Sequence, residues 1–135
     1  MLVKEYMTKN PIVLKPNEDV KNAFNLFLEK GIRQAPVVDK GYLVGIVSDR
    51  DLRMALVQDL GTNNLTVDII MTKDPVTITE DSNVAVAGKL ISKGKFNAIP
   101  VIGESGDLTG IISTTDILKC FLELIDDDYF PLITK

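Results

Sequence analysis

Two copies of one short motif contain the residue types in this sequence that are best suited to ligand chemistry. They read "GIVSDRD" and "GIISTTD", so Ser48-x-x-Asp51 recurs as Ser113-x-x-Asp116. Each motif lies where a β-rich run passes into a helical pattern, and a helix N-terminus offers free amides and a dipole that favour an anion such as phosphate. A hydroxyl there can donate to phosphate, and a carboxylate can accept two hydrogen bonds from a vicinal diol such as ribose. The pattern is therefore compatible with a nucleotide site, and the glycine that opens each motif permits close backbone approach.

A purely structural interpretation explains the same residues. In a capping box, a serine at the N-cap accepts a hydrogen bond from the amide three residues later, and an acid at that position reaches back to the N-cap amide. Such a cap stabilises a helix by about 1 kcal/mol. The motif alone leaves the cap and the binding site equally open.

The composition excludes most kinds of catalysis. The chain has 135 residues and no histidine, which removes the commonest general base and the commonest metal ligand. Cys120 is the only cysteine, so no internal disulfide and no cysteine-rich zinc site can form. Its surroundings, "DILKCFLELI", predict a buried structural thiol. We therefore expect a protein that is not an enzyme, with no metal and no required cofactor.

The charge and hydropathy patterns exclude further classes. The net charge is −4, whereas a protein whose main partner is nucleic acid needs a basic surface. No apolar run approaches the roughly 18 residues of a membrane helix, and the N-terminus lacks the apolar core of a signal peptide. We therefore expect a cytoplasmic protein that binds neither nucleic acid nor membrane.

Most of the chain is an internal repeat. Residues 6–20, "YMTKNPIVLKPNEDV", match residues 70–84, "IMTKDPVTITEDSNV", and "APVV" later matches "IPVI". The two units are predicted as domains at 1–60 (repeat 1) and 67–126 (repeat 2), with a linker at 61–66 and a tail at 127–135.

Each repeat predicts the order β-α-β-β-α. A β-rich run, "PIVLK" or "PVTIT", comes before an amphipathic helix with Asn17 or Asp81 as its N-cap and Gly31 or Gly94 as its C′ residue. Two strands and a last helix follow, and the turn "KG" joins the strands of repeat 1. In the last helix of repeat 2 the predicted apolar residues are Ile117, Phe121, Leu124 and Ile125. A unit of about 60 residues is only marginally stable alone, so two α+β units are expected to pack sheet against sheet with pseudo-two-fold symmetry.

Three motifs occur in the same order in both repeats, and this doubled pattern resembles the CBS domain pair, also called the Bateman module. The motifs are "MTKNP", "RQAPVVD" and "GIVSDRD" in repeat 1 and "MTKDP", "NAIPVIG" and "GIISTTD" in repeat 2. The resemblance covers nearly the entire chain. It implies two clefts between the sheets that bind AMP, ADP, ATP or S-adenosylmethionine. It also implies a regulatory role, and we expect a stand-alone module that acts on a separate protein partner. Two alternatives stay open: a ligand-free dimerisation scaffold, and an enzyme that uses carboxylates, for which the only support is the presence of those groups.

The resemblance also implies roles for individual residues. Asp51 and Asp116 match the acid that binds ribose, and Ser48, Ser113 and Thr114 match hydroxyls near the phosphates. One wall of each base pocket is implied at Ile12 and Val13 in repeat 1 and at Val76 and Thr77 in repeat 2. The other wall is implied at Ala35 and Pro36, and at Ile99 and Pro100. Basic phosphate contacts are implied at Arg33 and Arg50, whose equivalents in repeat 2 are Asn97 and Thr115.

Further expectations concern the arginines, the surfaces of the last helices and the tail. If each cleft uses its own repeat's residues, Arg33 and Arg50 serve the Asp51 cleft and give it the stronger preference for ADP or ATP. The alternative is that Arg50 reaches the phosphates of the other cleft across the pseudo-two-fold axis. Arg53 is assigned to a solvated helix face, and Met7 and Met71 to the core. Apolar residues on more than one face of the last helices, such as Met54 and Leu122, predict a homodimer. The tail forms a small apolar cluster, "YFPLI", on the module or on a second subunit.

Overall fold

The computed structural model describes residues 1–59 and 64–129, and the apolar tail from residue 130 onward lies outside them. Repeat 1 contains α1 (Val3–Tyr6), β1 (Thr8–Lys9), α2 (Val20–Lys30), β2 (Gln34–Asp39), β3 (Tyr42–Ser48) and α3 (Asp49–Asp59). Repeat 2 contains α4 (Val67–Ile70), β4 (Thr72–Lys73), β5 (Ile78–Thr79), α5 (Val84–Lys93), β6 (Ala98–Ile102), β7 (Leu108–Ser113) and α6 (Thr114–Tyr129). The predicted α+β class and the repeated order of elements are confirmed.

The two repeats exchange their N-terminal segments. One sheet has the strand order β1-β7-β6-β5, and the other has the order β2-β3-β4. In the first, β1 of repeat 1 pairs antiparallel with β7 of repeat 2, with Thr8 opposite Ile111. In the second, β4 of repeat 2 pairs antiparallel with β3 of repeat 1, with Thr72 opposite Ile46. Each sheet therefore contains one strand from the other repeat.

The motif glycines make this exchange possible. A Cβ on Gly110 would lie 2.6 Å from the sulfur of Met7 and 2.8 Å from the carbonyl oxygen of Thr8. A Cβ on Gly45 would lie 2.5 Å from the sulfur of Met71 and 2.9 Å from a backbone oxygen on β4. These glycines therefore permit the close approach of the exchanged strand. The sequence had instead suggested that they permit the close approach of a ligand.

Two hydrophobic cores form, and each is completed by the other repeat. The core of repeat 1 contains Leu14, Phe27 and Leu52 together with Val67 from α4, all almost fully buried. The core of repeat 2 contains its own sheet residues and Val3 from α1. Met71 packs against the first core and Met7 against the second, which confirms their prediction as core residues. Neither repeat closes its core alone, and this is a physical reason for the duplication.

The predicted N-caps were wrong by two residues. Asp19 caps α2 by accepting a hydrogen bond from the Asn22 amide at 3.1 Å, and Asn83 caps α5 by accepting from the Ala85 amide at 2.8 Å. Asn17 and Asp81 instead lie in the turns that come before these helices, where amides bond back three residues. Both members of each pair are good cap formers, so the sequence pattern did not distinguish them.

Two other local predictions need correction. Gly31 ends α2 in the left-handed conformation with φ 64°, as predicted, but Gly94 ends α5 with φ −87° and ψ 176°, which is extended backbone. The early β-rich runs form little sheet: Leu14 makes a single parallel bridge to Val37, and β5 has two residues. The turn at Lys40 and Gly41 is confirmed, and both residues have positive φ.

Helix α6 packs differently from the prediction. Cys120 is buried, as expected, whereas Phe121 and Leu124 are about half exposed. The α1 segment lies beside α6, where the Tyr6 hydroxyl donates a hydrogen bond to Glu123 Oε2 at 2.9 Å. This bond raises the pKa of Tyr6 to about 12. Within the described ranges, no helix is long and apolar enough to cross a membrane.

Candidate functional site

Both repeated motifs form capping boxes. The Ser48 amide donates to Asp51 Oδ2 at 3.0 Å, and the Asp51 amide donates to Ser48 Oγ at 3.0 Å. The Ser113 amide donates to Asp116 Oδ2 at 2.8 Å, and the Asp116 amide donates to Ser113 Oγ at 3.3 Å. The capping hypothesis is thus confirmed for both helices. The box uses one carboxylate oxygen, so it is compatible with a second role for the other.

One of these boxes opens into a large cleft, here called the Asp116 cleft. Its volume is about 1160 Å³, which is above the usual 300–1,000 Å³ of small-molecule pockets. Repeat 1 contributes Thr8, Asn10, Pro11, Ile12, Gly31, Ile32, Arg33, Gln34, Asp49, Arg50 and Arg53. Repeat 2 contributes Asn97, Ile111, Ser113, Thr114, Thr115 and Asp116. Most of the wall therefore comes from the repeat that does not contain Asp116.

The exchanged strand explains how residues of repeat 1 reach this cleft. Because β1 pairs antiparallel with β7, Thr8 lies opposite Ile111, two residues before Ser113, which leads into α6, and both Thr8 and Ile111 line the cleft. The Asn10 amide donates to the Thr109 carbonyl at 3.3 Å, and Asn10 has a φ of 48°. Asparagine adopts this left-handed conformation more readily than most residues. The chain then turns back to its own sheet, so Pro11 and Ile12 line the cleft.

Backbone hydrogen bonds hold the residues that come before β2 and β6 against the starts of α3 and α6. The Asp49 amide, at the start of α3, donates to the Arg33 carbonyl at 2.8 Å. The Thr114 amide, at the start of α6, donates to the Asn97 carbonyl at 2.9 Å. These two contacts are equivalent in the two repeats. They fix the residue before each sheet's first long strand next to the helix N-terminus that faces the cleft.

Positive charge is concentrated in the Asp116 cleft. Three arginines and two aspartates line it, although the chain as a whole has a net charge of −4. Arg53 is paired with Asp49 at 3.3 Å, so its charge is partly neutralised. Within the part of the chain that the structure describes, Arg33 and Arg50 form no ion pair. Their exposed guanidinium groups are therefore available to an anion in the cleft.

The structure places about half of the predicted site residues in this cleft. Those that line it are Ile12, Arg33, Arg50, Asn97, Ser113, Thr114, Thr115 and Asp116. Those outside its lining are Val13, Ala35, Pro36, Ser48, Asp51, Val76, Thr77, Ile99 and Pro100. Ala35 and Ile99 are fully buried in the two cores, so their side chains serve packing. Whether the predicted residues bind a ligand stays a prediction.

The lining of the Asp116 cleft differs from the predicted assignment of the arginines, whose ligand contacts stay a prediction. Arg33 and Arg50 line the cleft that contains Asp116, and Asp51 is not part of that lining. Arg53, which was assigned to a solvated helix face, is exposed but also borders this cleft. The preference for a longer phosphate chain, which rested on these arginines, is therefore no longer expected for the Asp51 side.

Several lining residues were missed because they depend on the exchange. Thr8, Asn10 and Pro11 belong to the repeated "MTKNP" motif, which was used only to recognise the repeat. Their recurrence in "MTKDP" was a usable signal, since a polar turn motif kept in both copies indicates a shared structural position. Which of the two clefts they line depends on the pairing of β1 with β7, which is a tertiary contact.

Comparison with known proteins shows the family. The CBS domain model matches residues 3–58 and again residues 67–123, so the chain belongs to the CBS domain family and contains two tandem copies. The protein MJ0188 of Methanocaldococcus jannaschii is 36% identical over 124 residues, which cover 90% of this chain and 44% of that protein. The chain likewise spans less than half the length of several other curated relatives.

Two solved structures match the fold and were determined with adenosine compounds bound. CBSX2 from Arabidopsis thaliana, determined in complex with AMP, is 31% identical with a TM-score of 0.77, and the match covers 91% of this chain and 97% of that one. The CBS domain pair of MJ0100, determined in complex with 5'-methylthioadenosine and S-adenosyl-L-methionine, is 30% identical with a TM-score of 0.83. That match covers 92% of this chain and 98% of that one. Relatives of this chain thus bind adenosine compounds.

Proposed function

We propose that this protein is a regulatory module that binds an adenosine ligand in the Asp116 cleft and signals its presence to a separate protein. The observation that best supports this is the composition of the cleft. A capping carboxylate with one oxygen outside the capping box lies in the same cavity as two arginines that form no ion pair with any residue that the structure describes. A diol acceptor and phosphate donors are the groups that a nucleotide requires.

The proposed chemistry assigns one group to each part of the ligand. Asp116 accepts hydrogen bonds from the ribose hydroxyls. In the structure the Ser113 hydroxyl donates to Asp116 Oδ2 at 3.0 Å and the Thr114 hydroxyl donates to the Asn97 carbonyl at 3.2 Å, so under this proposal both hydroxyls rotate to donate to phosphate when the ligand binds. Arg33 and Arg50 contribute planar guanidinium donors and permanent charge. Ile12 provides apolar contact for the base. Under this proposal the protein performs no catalysis, and the ligand acts only through binding.

Titration calorimetry with AMP, ADP, ATP and S-adenosylmethionine tests the proposal. AMP has roughly two dozen non-hydrogen atoms, and at about 0.3 kcal/mol per atom this predicts a dissociation constant near 10 μM. We expect at least one of the four to bind in the micromolar range and to raise the melting temperature. Absence of both heat and thermal shift at millimolar ligand would contradict a sensor and favour the ligand-free scaffold.

We also propose that the module is a homodimer. On α3, Met54 is 52% exposed and Val57 is 76% exposed, and on α6 Leu118 and Leu122 are each more than half exposed. A monomer would leave these apolar side chains in water on both terminal helices.

Light scattering is expected to show twice the monomer mass, and Val57→Glu is expected to shift the population toward monomer. The matched change Leu28→Glu, at an exposed leucine on α2, should leave the mass unchanged if α3 and α6 form the interface. A monomeric wild type at all accessible concentrations would refute the dimer.

A further inference from the structure

We infer that the Asp116 cleft selects a ligand with a chain of phosphates, a nucleoside di- or triphosphate, over a monophosphate and over a cationic adenosine compound. This inference rests on the proposed function and specifies the ligand class of the same site. It depends on which repeat supplies each group: the acid comes from repeat 2, and the arginines come from repeat 1.

The charge balance of the cleft favours a ligand with several negative charges. Asp49 is paired with Arg53 at 3.3 Å, whereas Asp116 accepts from neutral donors in its capping box and keeps its charge, so the three arginines and two aspartates give the lining a net charge of +1. Arg33 and Arg50 then remain as two positive groups with no carboxylate partner within the described residues. An α-phosphate alone leaves one of these groups without a bidentate acceptor, whereas a second or third phosphate extends the anionic surface to both.

The arginines and the acid of the cleft lie at the starts of different helices. The Arg33 carbonyl accepts from the Asp49 amide, so Arg33 and the adjacent Arg50 are held together at the start of α3. Asp116 and Ser113 lie at the start of α6. A ligand whose ribose is held at α6 must therefore extend across the cleft to reach α3. The cleft volume of about 1160 Å³ allows a ligand of this length.

The same charges disfavour S-adenosylmethionine. Its sulfonium would occupy the position of the α-phosphate, and a cation near unpaired guanidinium groups is repelled. Its carboxylate could contact one arginine, but the molecule as a whole is positive. We therefore expect this cleft to differ in ligand class from that of the MJ0100 domain pair, whose structure contains S-adenosylmethionine.

The test is a titration series of adenosine, AMP, ADP, ATP and S-adenosylmethionine at fixed ionic strength without divalent cations. It is run on Asp51→Asn protein, so that the Asp116 cleft dominates the signal. ATP is expected to bind about ten-fold more tightly than AMP, because each added charge-assisted contact contributes at least that factor, and S-adenosylmethionine should bind most weakly. Equal affinity for AMP and ATP, or tighter binding of S-adenosylmethionine, would overturn the inference.

The arginines are tested with the residues that repeat 2 has at the equivalent positions. Arg33→Asn and Arg50→Thr should each lower the affinity for ATP about ten-fold and leave adenosine unchanged. Lys21→Gln makes the same change in net charge at an exposed residue outside the cleft, and it should preserve the full series. If the arginine variants alter ATP binding only in an Asp116→Asn background, the arginines serve the other cleft and the inference is wrong.

Inorganic tripolyphosphate separates this inference from the proposed function. If no adenosine ligand binds but tripolyphosphate binds and is weakened by Arg50→Thr, the adenosine sensor fails while the polyanion site stands. If adenosine and ATP bind equally well and tripolyphosphate does not bind, the sensor stands and the selectivity for phosphate chains fails.

Discussion

Gly110→Ala is expected to destabilise the protein by about 3 kcal/mol, near the upper end of the usual cost of overpacking. The added Cβ would lie 2.8 Å from the Thr8 carbonyl oxygen, which is a backbone atom held by the β1–β7 pairing. A side chain such as Met7 can rotate away, but the backbone oxygen can move only if the two strands separate. Thermal unfolding followed by circular dichroism should show a melting temperature lower by about 10 °C.

Two further variants make this test specific. Gly45→Ala should behave in the same way, since its Cβ would lie 2.9 Å from the Thr72 carbonyl oxygen. Gly88→Ala is the control, because its Cβ would have Ile117 as nearest neighbour at 3.8 Å, and alanine should stabilise α5 by about 0.5–1 kcal/mol. If Gly110→Ala melts at the wild-type temperature, the exchanged strand does not pack as described.

The duplication and the order of the long elements were predictable because they depend on local patterns. Alternating apolar residues and the turn at Gly41 predicted β2 and β3, and the serine and aspartate of each motif predicted a capping box. These signals act within a few residues of each other. Both repeats contain these signals, and the folded protein forms the elements that they predict.

The exchange of N-terminal segments was not predictable in the same way. The strands β1 and β4 have two residues each, and α1 and α4 have four, which is too short for a hydrophobic period to be recognised. Their partners lie in the other repeat, so only tertiary packing determines the pairing. The consequence for the site is direct: the arginines were assigned to the Asp51 side because each repeat was treated as a closed unit.

Asp116→Asn is expected to weaken binding of the adenosine ligand at least ten-fold. An ionised carboxylate makes charge-assisted hydrogen bonds of about 1.5–3 kcal/mol with donors such as ribose hydroxyls, and an amide makes weaker ones. The amide oxygen can still accept the Ser113 amide, so the cap itself should lose about 1 kcal/mol or less. Affinity measured by calorimetry and stability measured by urea unfolding therefore respond differently to this one change.

Asp19→Asn provides the matched control for a capping carboxylate outside the cleft. Asp19 caps α2 by accepting from the Asn22 amide, and it does not line the Asp116 cleft. Its replacement should have a similar small effect on stability and no effect on affinity.

If Asp116→Asn and Asp51→Asn both leave the affinity unchanged, the two motifs act only as capping boxes, and the ribose acceptor must be sought elsewhere. A loss of affinity in Asp116→Asn alone would locate the occupied site in the cleft that the two repeats build together, with the acid of one repeat and the arginines of the other.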